Sequence, residues 1–123
     1  MNEQDTIRAL KRFFKRNYHS IYLRSALWML KTYPQAQLDN VGDPQCRKCC
    51  QDIQTVISAC TPRNQQIMQL RYVKQLKVKE VTDEMTISPT TYYIADKAAL
   101  IEFSQRMQVI DPHMFDMMIN QCN

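Results

Sequence analysis

Residues 61–107 read TPRNQQIMQLRYVKQLKVKEVTDEMTISPTTYYIADKAALIEFSQRM, and the punctuation that organises them is Ser88-Pro89. A serine can accept from the free N–H groups of a helix's first turn, and a proline directly after it presets φ where no N–H partner is needed. The spacing therefore predicts a helix opening at Pro89 and running to about Met107, with Tyr92, Ala95, Ala99, Leu100 and Phe103 on its apolar face. Upstream, Val78 to Met85 predicts a short helix, and Thr86-Ile87 a tight junction. Thr61-Pro62 repeats the cap-plus-proline signal and opens a helix to about Gln75, apolar at Ile67, Met68, Leu70 and Tyr72. Two short helices joined by three or four residues, the second one capped, are the helix-turn-helix arrangement. Ile67, Leu70, Val78, Val81, Met85, Ile87, Tyr92, Ala95 and Leu100 are its predicted core. By periodicity alone the same pattern fits other small helical bundles.

Upstream of this segment, no proline or glycine interrupts residues 2–32, and Ile7, Leu10, Phe14, Tyr18 and Ile21 recur at helical steps. One long amphipathic helix is predicted over 2–32. Arg8, Lys11, Arg12, Lys15 and Arg16 form a basic band away from the stripe, either a solvated face or a contact to phosphates or an acidic partner. Tyr33-Pro34 ends that element, 33–43 is a linker holding the only glycine, and Asp43-Pro44 starts a helix over 43–60. Its stripe is Cys46, Cys49 or Cys50, Ile53, Ile57 and Cys60. Asp111-Pro112 opens a short helical tail within 108–123, rich in methionine, which either closes the core or offers an adaptable dimer interface. The expected organisation is an N-terminal helical region over 1–60, the helix-turn-helix over 61–107, and the tail.

Composition narrows the function. With one glycine in 123 residues, Gly-rich phosphate loops and dinucleotide folds are disfavoured. No apolar run approaches the roughly 20 residues of a bilayer span, and no leader opens the chain, so a cytoplasmic protein without membrane contact is expected. The formal net charge of +4 is unevenly placed: residues 1–31 carry seven Lys/Arg against two Asp/Glu, and residues 61–107 seven against five. Two basic segments point to a polyanionic partner. Five cysteines, an odd number, fit a reduced compartment. Cys46-Arg-Lys-Cys49 has metal-ligand spacing, yet a second such pair or paired histidines are missing, so neither a metal nor any other cofactor is expected. No Ser/His/Asp, Cys/His or paired-carboxylate set stands out, and Glu80, Asp83, Glu84, Asp96 and Glu102 read as solvated. An enzyme is not expected.

The run from Thr61 to Tyr72, then Val78 to Ser88, then Tyr92 to Phe103, resembles region 4 of bacterial sigma factors and, more closely, the phage late-gene regulators of the ArpU family. The resemblance implies an all-α bundle with a C-terminal, sigma region 4-like helix-turn-helix behind a long N-terminal helix. It implies a sequence-specific regulator, a prophage activator of late genes in a bacterial host, binding double-stranded DNA at a promoter and acting with RNA polymerase; a homodimer through the methionine-rich tail would double the DNA contacts. Position by position, Val78, Val81 and Met85 match the first helix's core, and Ile87 and Ser88 the turn's apolar residue and cap. Pro89, Thr90, Tyr93, Ile94 and Lys97 fall on groove-facing positions. With Thr91 in the same leading turn and Lys79 on the first helix, the expected DNA-binding set is Lys79, Ser88, Pro89, Thr90, Thr91, Tyr93, Ile94 and Lys97. Thr90 and Tyr93 would read base edges, and Lys79 and Lys97 would anchor on the backbone. Three departures stand out: Thr86 replaces the usual glycine of the turn, Thr82 a very small residue, and Lys77 a capping residue. The reading helix is also short of the Lys/Arg run of relatives. The alternative is an interaction or packaging adaptor that keeps a degenerate helix-turn-helix as scaffold.

Overall fold

The computed structural model describes residues 2–38 and 40–120. Ser88 adopts an extended backbone and its Oγ accepts from the Thr91 N–H at 3.1 Å, so the helix starts at Pro89 as its sequence predicts. It runs from Pro89 to Ile110 and is α7, the element against which five other helices pack. Those neighbours are α1 (Glu3–Arg16), α4 (Pro44–Ala59), α5 (Pro62–Ile67), α6 (Val78–Met85) and α8 (Pro112–Asn120). Completing the set are α2 (Tyr18–Ser25) and the single-turn α3 (Gln35–Leu38), and the described residues contain no strand. The fold is all-α.

α6 begins where the Glu80 carboxylate turns back to accept from the Lys77 N–H at 2.9 Å, half of a capping box, since the Lys77 side chain offers no acceptor to the first turn. It ends at Thr86, whose left-handed backbone (φ 56) lets the Ile87 N–H reach the Thr82 carbonyl at 3.1 Å. The departure from glycine at this turn is thus a threonine held in a conformation that β-branched residues rarely adopt.

The single helix predicted over 2–32 is three pieces. α1 ends at Asn17, α2 ends at Ala26 in the left-handed region (φ 62), and Leu27–Lys31 continue as a 3-10 turn. At the second break, local bonds, the Leu27 N–H to Ser25 Oγ at 3.2 Å and Trp28 Nε1 to the Leu23 carbonyl at 3.0 Å, are joined by groups from outside the segment. The Asp43 N–H donates to the Arg24 carbonyl at 2.8 Å, and the Arg47 guanidinium donates to the Ser25 carbonyl at 3.3 Å, so the last carbonyls of α2 are satisfied by the N-cap and first turn of α4. Gly42 allows that approach: it sits at φ 82, and a Cβ there would lie 2.8 Å from the Ser25 carbonyl oxygen. The predicted linker 33–43 contains α3, and the predicted helix 61–75 continues beyond α5 as a π-helical segment, Met68–Val73.

One cluster forms the core and draws on every region of the chain, from Ile7, Leu10, Phe13 and Phe14 to Met114 and Met118. The methionine face of α8 lies in that cluster, so of the two roles expected for the tail, closing the core is the one observed. Positions 121–123, Cys122 among them, lie outside the described residues. No helix among the described residues is long and apolar enough to cross a membrane.

Candidate nucleic-acid interface

α7 buries Tyr92, Ala95, Asp96, Ala99, Leu100 and Phe103, which leaves Thr90, Tyr93, Ile94 and Lys97 on the opposite side at steps of three and four. All four are exposed; Tyr93 stands 61% and Ile94 64% open, high values for side chains of their size. Ser88 and Pro89 are exposed at the leading end and Thr91 is half-buried beside them. Within the first turn, the Thr91 N–H donates to Ser88 Oγ and the Tyr92 N–H to the Ser88 carbonyl, while Pro89 has none. Among the described residues, none accepts from the Thr90 N–H of that turn.

The cations of the expected set differ. Lys97 is exposed and has no partner among the described residues, whereas Lys79 Nζ pairs with Asp83 at 3.2 Å, one turn along α6. Such an exposed pair is worth a few tenths of a kcal/mol, so a phosphate can displace it.

Two acids expected to be solvated are not. Asp96 is 4% exposed: its Oδ1 accepts from the Tyr72 hydroxyl at 2.5 Å and from the Tyr92 hydroxyl at 3.2 Å, and Lys11 Nζ stands 3.5 Å from Oδ2. Burial, then the neighbouring Asp96 charge, pushes the Tyr92 hydroxyl up to about 12 and raises that of Tyr72 too. This network ties α1, the π segment and α7 together and so fixes the rotation of α7. Glu102 accepts on Oε1 from the Thr61 N–H (3.0 Å), the Thr61 hydroxyl (3.2 Å) and Asn64 Nδ2 (2.8 Å), and on Oε2 from Arg106 (3.0 Å). Burial pushes that carboxyl up, yet these hydrogen bonds prevail and hold it down at about 2. The Thr61 side chain thus does not cap α5; it donates to Glu102. Asp96 was detectable in the sequence, since it falls on the stripe Tyr92-Ala95-Ala99.

Cys46, Cys49, Cys50 and Cys60 are buried free thiols. Burial, with smaller contributions from neighbouring groups, raises Cys49 to about 12 and Cys50 and Cys60 to about 11, which keeps them protonated as small apolar core groups. Among the described residues no group of three or more His, Cys, Asp or Glu is placed to hold a metal ion.

Residues 45–104 match the model of a family described as a protein of unknown function, DUF1492. The match starts within α4 and ends within α7. No curated protein matches the chain, and no solved structure does.

Proposed function

We propose that this chain is a non-enzymatic, sequence-specific DNA-binding regulator of transcription, in which α7 enters a major groove with Thr90, Tyr93, Ile94 and Lys97 facing the bases and backbone. The observation that carries the reading is the exposed stripe at the leading end of a helix whose other side is buried. A major groove accepts one α-helix, and its base edges offer polar atoms to Thr90 and Tyr93 and thymine methyl groups to Ile94. The Thr90 N–H at a capped helix start suits a phosphate oxygen. The resemblance to sigma region 4 and to ArpU-type regulators extends the proposal to a cytoplasmic, prophage-encoded activator of late genes that works with RNA polymerase at a promoter.

A second reading, the protein-binding adaptor, is favoured by one feature: Lys97 and Arg106 are the only cations in the 22 residues of α7. Salt separates the two. A DNA binder loses affinity for duplex linearly in log salt as counterions are released, and an adaptor binds duplex negligibly.

Duplexes selected from a random pool, followed by isotherms on selected and scrambled sequences, test the docking. Lys97→Ala should weaken binding to both alike and lower the salt slope by about 1, whereas Thr90→Ala should change sequence preference by about 1–3 kcal/mol at one position. Unchanged isotherms for both variants would contradict it.

A further inference from the structure

A half-open cleft of about 530 Å3 lies where α1, the π segment and α7 meet. Its base is aromatic, formed by Phe14, Tyr72 and Tyr92, and its rim is cationic: Lys11, Arg12, Lys15 and Arg16 from α1 and Arg71 from the π segment. Among the described residues that line it, Asp96 is the only acid, and its charge is already answered by Lys11 and two tyrosine hydroxyls. Arg12, Lys15 and Arg16 are exposed and make no ion pair or side-chain hydrogen bond among the described residues. Three like charges within two turns of one helix repel each other, a cost that the helix dipole offsets in part for Lys15 and Arg16 in the last turn of α1. Positive charge concentrated along a cleft with a low-dielectric base focuses its field outward and attracts an extended anion.

The direction of the cleft is set by Tyr93, which lines it and also belongs to the exposed stripe of α7. A strand whose bases face Thr90 and Tyr93 therefore carries its phosphates past the cleft mouth. We propose that the cleft holds the sugar-phosphate backbone of one DNA strand beside the groove that α7 enters, with Arg12, Lys15 and Arg16 as its phosphate contacts. α1 is then a second DNA-binding element outside the helix-turn-helix, and it supplies the cations that α7 lacks. The proposal rests on α7 being the reading helix.

The test compares the full chain with the Arg12→Gln, Lys15→Gln, Arg16→Gln triple variant on selected and scrambled duplexes across a salt series. Glutamine keeps helix propensity, and the thermal melt of the variant reports whether the fold is retained; the three single variants replace it if the triple variant unfolds. The expected result is a salt slope reduced by about 1 per residue replaced, with the ratio of selected to scrambled affinity held within about twofold. Duplex binding by the native chain with an unaltered slope in the variant would overturn the cleft as a DNA site while leaving the α7 reading intact. Loss of polyglutamate binding in the variant with full duplex affinity would overturn it in favour of an acidic protein partner. No duplex binding by the native chain would remove the α7 reading itself, and the cleft proposal with it.

Discussion

Asp96 is the buried acid that joins three elements, because it answers two tyrosine hydroxyls and a lysine from inside the core. Removing it takes the acceptor from the buried Tyr72 and Tyr92 hydroxyls. Asp96→Ala should therefore cost about 3 kcal/mol, read as a lower urea midpoint with an unchanged slope. A loss below about 1 kcal/mol would show that the network is not a stabilising one. Gly42 tests a different physics, backbone rather than polar pairing. Alanine there meets the Ser25 carbonyl oxygen at 2.8 Å, the Ala26 Cβ at 2.9 Å and the Arg24 carbonyl oxygen at 2.9 Å, in a left-handed conformation. Gly42→Ala should destabilise by more than about 2 kcal/mol in the same assay. From the sequence Gly42 could be placed in a loop but not against α2, since the approach that demands a missing Cβ is tertiary.

At the level of elements, the capped starts were legible, whereas the starts of α2 and α3 and some ends were not. Asn2 at α1, Asp43 at α4 and Ser88 at α7 cap with side-chain oxygens, and Asp111 accepts from the Met114 N–H at 3.0 Å; three of these are followed by proline. Such signals are local and can be read locally. The break at Ala26 is only partly local: Ser25 Oγ accepts from the Leu27 N–H and Trp28 Nε1 donates to the Leu23 carbonyl, but Asp43 and Arg47 arrive from 17 or more residues downstream. Glu102 is a similar case: its place on α7 reads as solvated until the start of α5 is brought against it. Its carboxyl, held at about 2 in the fold against an ordinary 4.5, stabilises the native state above the ordinary value and loses that contribution as pH falls toward 2. Glu102→Gln should thus lower stability by about 1–2 kcal/mol at pH 7, and the gap to the native chain should shrink between pH 5 and pH 2. Paired thermal melts across that range provide the check; a gap that does not depend on pH would assign the effect to packing instead of charge.

Taken whole, the described residues of the N-terminal region, the helix-turn-helix and the tail contribute to one core, and α7 packs against elements of all three. The exposed stripe of α7 was legible because a 3.6-residue period divides one helix into two faces, and the buried residues at Tyr92, Ala95, Ala99, Leu100 and Phe103 settle which face is left. The cleft beside it was not legible, since it joins Arg12, Lys15 and Arg16 to Arg71 and Tyr93 across more than 50 residues of chain. The central claim is that the leading turn of α7 meets DNA. Backbone amide shifts followed by NMR while a selected duplex is added to the labelled protein measure it directly. The account predicts the largest changes from Ser88 to Lys97, with the exposed residues Trp28 and Val109 unaffected; changes centred on Trp28 or Val109 and absent from Ser88 to Lys97 would contradict it.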